Sequence, residues 1–245
     1  MQKIKIKLVT IGAVPAKIDR KKLLNWKSSV LCIDKSIDDY PLQGDSDLDD
    51  WSFSDQSMRS HIPEYEDHDF VIAITNVPLQ LNWYSRRLDN KNVLFTFHEI
   101  KEYLDKANIP LENAILRVLY AYSIAYKSNN NAIPNYDGQF SFTHDETKGC
   151  LFDMNGLKMD LIESCHSPII CTDCEHKFSR NNVPGNVIHS IQKEIKKIKK
   201  PLYYRWVGFI KHHPIISLFL SIFSVIVLGM ISSILATLTY EHLIK

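Results

Sequence analysis

Residues 143–178 read THDETKGCLFDMNGLKMDLIESCHSPIICTDCEHKF, and four of the chain's five cysteines and three of its ten histidines fall within them. Cys171 and Cys174 form C-x-x-C, the spacing at which one turn of chain aims two thiolates at a single tetrahedral metal. Cys150 lies upstream and His144 a few residues before it, so a Cys3His ligand set of His144, Cys150, Cys171 and Cys174 is available for a structural zinc. Two other readings stay open at this point. Cys165 and its neighbours can be ordinary buried thiols, and the C-x-x-C can be redox-active, although that needs a thioredoxin-like βαβ setting not evident around it.

Working outward, residues 4–10 alternate as a strand, residues 19–27 have helical character, and residues 30–33 read as a second strand. The continuous apolar run FVIAIT at 70–75, ended by Asn76 and Pro78, predicts a central strand, and VLFTF at 93–97 another. Residues 98–107 and 111–127 read as helices, the second mostly apolar and therefore interior. Strands alternating with helices give an α/β class, with α+β as the alternative. Between them, residues 34–69 are acidic and turn-rich. Asp45, Asp47, Asp49 and Asp50 suggest a calcium loop only briefly, because Asp50 stands where an EF-hand needs Gly and Gln56 where it needs the bidentate Glu. A solvated loop is the reading.

The chain has 245 residues, 45% hydrophobic and 23% charged, which suits one medium-sized domain plus a tail. Lys and Arg (29) nearly balance Asp and Glu (28), so wholesale nucleic-acid binding is not expected. An odd cysteine number argues for a reducing compartment over a secreted disulfide framework. The opening MQKIKIKLVTIG reads as a strand, not as a signal peptide.

Residues 215–240 contain no Asp, Glu, Lys or Arg, and as a helix would reach about 39 Å, enough to cross a bilayer with some tilt. The basic cluster at 193–211 precedes this span, so the positive-inside rule places the domain in the cytoplasm, on the inner (plasma) membrane. Ser217, Ser221 and Ser224 share one face and Gly229 with Ser233 makes a small-xxx-small pair, which permits self-association through the membrane, unless the hydroxyls simply bond their own helix. Upstream, Ile188, Ile191, Ile195, Ile198 and Leu202 repeat at three and four residues. They predict either a short coiled-coil seam or an amphipathic helix on anionic lipid.

The stretch 143–178 resembles the archaemetzincins, a metzincin zinc metalloprotease family whose motif runs H-E-x-x-H-x-x-G-x-x-H-C-x4-C-x-M-x17-C-x-x-C. Laying His144 on the family's third histidine puts Asp145 at its first cysteine and Cys150 at its second. Cys171 and Cys174 then arrive one residue late as the closing pair, and Phe152 replaces the methionine. VTIGAVP at 9–15 and DFVIAITNVPL at 69–79 are also similar to the family's opening strand and the strand before its active-site helix, so the resemblance covers residues 3–178. It implies a metzincin-like mixed sheet with helices and a zinc-knot loop, and a second, structural zinc site. The fourth ligand there is His144, with Asp145 as the alternative.

The family's catalytic motif has no counterpart. Without gaps it falls on Pro134, Asn135 and Gly138; placed instead on residues 111–127, it meets no histidine. Nowhere are two histidines four residues apart, the spacing that puts two imidazoles on one helix face to grip a hydrolytic zinc. One other pattern, HEIKE, sets His98, Glu99 and Glu102 as an H-E-x-x-E site or, more plainly, as acidic residues complementing a helix N-terminus.

The expected organisation is a soluble metzincin-like domain over 1–180, a basic linker over 181–213, a membrane span over 214–240 and a short tail over 241–245. The expected function is that of a membrane-anchored, zinc-stabilised, catalytically degenerate sensor or binding protein with a protein or small-molecule trigger. By analogy alone it extends to a membrane effector of bacterial phage defence. The alternatives are a tethered zinc peptidase using His98, Glu99 and Glu102, and a lipid-surface adaptor working through Lys196, Lys197, Lys199 and Lys200.

Overall fold

Four strands anticipated from apolar runs pair in parallel. In the computed structural model, which describes residues 2–135, 143–144 and 148–244, β1 (Ile4–Ile11), β2 (Leu31–Tyr40), β3 (Phe70–Thr75) and β5 (Asn92–Thr96) join β4 (Ser85–Arg87) in a sheet of order β2-β1-β3-β5-β4. Only β4 runs antiparallel, on the edge beside β5. The fold is therefore α/β with a mixed sheet. Parallel strands need both faces covered, which explains why β3 and β5 are buried along their whole length.

The helices met by the chain are α1 (Arg20–Leu24), α2 (Asp55–Ser60), α3 (Ile100–Lys106), α4 (Leu111–Ser128), α5 (Leu161–Ser164), α6 (Thr172–Arg180), α7 (Gly185–Ile195), α8 (Leu202–His212) and α9 (Pro214–Ile244). α4 crosses the main core with every residue from Leu111 to Tyr126 buried. It packs with Ile4, Ile6 and Leu8 of β1, Phe70, Ile72 and Ile74 of β3, and Val93 and Phe95 of β5 in one cluster. The opposite face of the sheet is smaller, where Val9, Val71, Ala73 and Leu94 meet Phe53, Met58, Ile62 and Leu79. α4 ends where Asn130 and Asn131 take left-handed backbone angles, which asparagine tolerates better than most side chains.

Lys7 departs from the alternation of β1. Its side chain is buried, and its amine donates to Asp34 at 2.8 Å, Asp38 at 3.0 Å and Ser36. β2 runs on through this acidic stretch to Tyr40, with a register shift opposite Ile6 and Leu8. Asp34, Lys35, Asp38 and Asp39, which read as the start of a turn-rich acidic stretch, are thus on an edge strand, which tolerates them, while Asp45, Asp47, Asp49 and Asp50 lie beyond its end and outside any strand. Burial alone would lower the Lys7 pKa, but the two carboxylates hold it above its ordinary value.

The main core extends past residue 180. Ile188, Ile191, Ile195 and Ile198 are buried with that core, so they form neither a coiled-coil seam nor a lipid-facing stripe, while Leu202 belongs to α8. Residues 2–199 accordingly make one compact unit and residues 200–244 a second. α7 is held by Glu194, whose carboxylate accepts from the Ser28 and Ser29 hydroxyls, the Ser29 amide and the Tyr120 hydroxyl. Burial pushes this carboxyl up, but those hydrogen bonds outweigh it and leave the pKa below its usual value. The stability it supplies is complete above the unfolded pKa, about 4.3, and is lost as pH falls through the lower folded value. Glu194→Gln is expected to cost about 2 kcal/mol at neutral pH and to flatten the acid limb of stability below about pH 4.3, as read by denaturant melts of both proteins across pH.

In the second unit, α9 contains a stretch, Pro214–His242, long and apolar enough to cross a membrane. The hydroxyls of Ser217 and Ser224 donate to carbonyls of the preceding turn, His213 and Ser221, so each is satisfied within its own helix.

Candidate metal centre

Three separated pieces of chain bring the ligands together. His144 is pinned by its own backbone, its amide donating to Phe152 O and its carbonyl accepting from Met154 N, both at 2.9 Å. Cys150 sits on a one-residue parallel bridge with Ile169, held by Leu151 N–H to Ile169 O and Ile169 N–H to Gly149 O at 2.9 Å each. Gly149 makes this crossing possible. Its φ is +88°, and a Cβ there would stand 3.4 Å from the Ser167 carbonyl, so a side chain would be both strained and crowded. Cys171 then caps α6, and Cys174 lies in its first turn, where the helix dipole favours thiolates.

The four donor atoms lie within 4.8 Å of one another. The Cys150 and Cys174 sulfurs are 3.9 Å apart, and Cys171 Sγ is 3.5 Å from His144 Nε2. Zinc–sulfur bonds of about 2.3 Å and a zinc–nitrogen bond of about 2.05 Å at tetrahedral angles predict separations of about 3.8 Å for S···S and about 3.5 Å for S···N. The donor set fits a structural zinc, in chemistry and in spacing. Phe152 and Phe178 pack with tilted rings, centroids 4.5 Å apart, and Cys150 and Cys174 are buried.

Electrostatics favour ionised sulfur at this place. The hydrogen bond with Cys174 draws Cys150 down to about 4, with further help from the Cys171 and Phe152 backbone amides and from His144, and the same bond pushes Cys174 up. A pair of thiols sharing a proton gives it up to a divalent cation, which takes both as thiolates. The amide donors to Cys150 were not anticipated. One of them belongs to Cys171, far along the chain, so no local pattern around Cys150 could have pointed to it.

No protein-family model matches the chain, and no curated protein does. Among solved structures, archaemetzincin from Methanopyrus kandleri matches at a TM-score of 0.48 and 13% identity, over 74% of this chain and 96% of that one. The chemistry of the centre follows from this chain's own donors.

The remaining candidates are placed elsewhere. Asp145 and Gly138 lie outside the described residues. Pro134 and Asn135 stand in a loop after α4, and α4 carries no histidine. Cys165 is buried apart from the cluster, its thiol pushed up to about 12 by burial, which makes it inert. His98 and Glu99 precede α3, and Glu99 takes φ +65° at the helix N-cap. His98 and Glu102 therefore do not share a helical turn as the H-E-x-x-E reading requires. Glu99 is instead bound by Asn82 Nδ2 at 3.2 Å and Lys158 Nζ at 3.1 Å, which lower its pKa, while burial and Lys158 lower that of His98. In the acidic loop, Asp47 accepts from Ser54 and Asp50 from Ser52, so these carboxylates organise turns. Among the described residues, His144, Cys150, Cys171 and Cys174 are the one set of three or more His, Cys, Asp or Glu gathered closely enough for a metal.

Proposed function

We propose that this chain is a membrane-anchored, zinc-stabilised binding or sensing protein with a metzincin-like but non-hydrolytic domain facing the cytoplasm. The supporting observation is that three sulfurs and one imidazole supply four ligands, which leaves no position for a zinc-bound water. A hydrolytic zinc needs that open position and a base beside it. The long apolar helix α9 supports the anchor, and the lysines ahead of it support the orientation. Gly229 and Ser233 are the proposed contact through which occupancy of the domain would be passed to a second helix.

The test is a metal count with a peptidase assay on the full chain in detergent. About one zinc per chain is expected, and Glu99→Gln is expected to change no hydrolysis. Two zincs with turnover that disappears in Glu99→Gln would overturn the reading in favour of a tethered peptidase.

A further inference from the structure

We infer that α8 is an interfacial helix that lies in the headgroup layer of an anionic membrane. This rests on the reading of α9 as a membrane span. Leu202, Trp206 and Ile210 recur every four residues along α8, flanked by Tyr203, Val207 and Phe209, so the helix carries one broad apolar face. Arg205, Gly208, Lys211 and His212 occupy the other side. That apolar face is uncovered: Leu202 is 63% exposed, Tyr203 69%, Trp206 54% and Ile210 51%. A helix of this pattern buries its apolar side in another phase.

Three features identify that phase as lipid. Pro214 opens α9 directly after α8, and His213 between them leaves the helical region at φ −131°, ψ 60°, so the chain can bend where an interfacial segment meets a span. Trp and Tyr are the side chains that settle at the headgroup level, because each has an apolar body and a polar tip. From Lys196 to His213 the sequence holds six Lys or Arg and no Asp or Glu, which complements anionic lipid. A second copy would bring the same positive charge against itself.

The full chain is reconstituted into phosphatidylcholine vesicles with and without phosphatidylglycerol, using lipids brominated near the headgroup or deep in the chain. The component of tryptophan emission removed by Trp206→Phe reports α8. In anionic vesicles that component is expected to fall about twofold with shallow bromines and little with deep ones, for a helix buried about 5–10 Å. Leu202→Glu with Ile210→Glu is expected to abolish the quenching while the chain stays in the vesicle pellet. Pelleted chain with an unquenched Trp206, or quenching equal at both depths, overturns the assignment of α8 and leaves the anchor standing. Chain that does not pellet with vesicles overturns the anchor and the inference with it.

Discussion

Cys174→Ser is expected to release the zinc and to abolish cooperative unfolding of the unit that carries it, whereas Cys165→Ser keeps the metal. Both sulfurs are buried, so burial alone predicts equal costs. They differ in company: Cys174 stands among three other donors, while Cys165 has none of them. A structural zinc in a small site contributes an apparent 10–16 kcal/mol, comparable with the whole stability of a typical domain, about 5–15 kcal/mol. Exchanging an isolated buried thiol for a hydroxyl costs about 1–3 kcal/mol. Metal content by mass spectrometry and thermal melts of both variants separate the two. A chelator should reproduce the Cys174→Ser melt in the unaltered protein. Equal melts for the two variants, or a metal-free protein that unfolds as sharply as the loaded one, would remove the zinc from the account.

On the proposed reading of α9 as a membrane anchor, Ile226→Arg together with Leu228→Arg is expected to move the protein out of the membrane. Each arginine near the bilayer centre costs about 3 kcal/mol on an insertion scale, and each apolar residue lost withdraws about 0.5 kcal/mol more. The total of about 7 kcal/mol matches what the Ile, Leu, Val and Phe residues of α9 supply together on the same scale. Resistance to alkaline extraction reads the outcome: the unaltered chain stays with the bilayer, and the double variant appears in the supernatant or in aggregates. A variant that still resists extraction would mean that α9 is not what holds the chain there. Because the zinc site lies in the other compact unit, its metal content should not change.

The parts of the fold visible in the sequence are those with a strong local signal. FVIAIT has no polar residue until its last position and becomes β3; VLFT becomes most of β5; the apolar run from Leu111 becomes α4. The ligand set rested on a spacing, C-x-x-C, whose geometry is local to one turn. What escaped depended on distant partners. β2 continues through Asp34, Asp38 and Asp39 because Lys7 of β1 and Arg20 of α1 neutralise them, and no window over residues 34–40 contains those cations. β4 is three residues long, Ser85–Arg87, and is a strand only by its pairing with β5. The isoleucines of α7 show the same limit from the other side. Their period predicts one apolar face but not what covers it; the domain's own core does so, with Glu194 meeting Ser28, Ser29 and Tyr120 at the same contact. The helix at HEIKE differs for a related reason, since the left-handed turn at Glu99 starts α3 two residues later than its composition suggests.

The margins of the sheet bear on how this protein crowds with its neighbours. One border is β2, which is interrupted by a shift in register and studded with Asp34, Lys35, Asp38 and Asp39; the other is β4, too brief to template a foreign strand, with Arg86 already clasped by Asp55. Borders of this kind repel strand-to-strand growth. Copies brought close together would therefore not extend one another's sheets, and amyloid-like stacking is not the route by which this chain would gather.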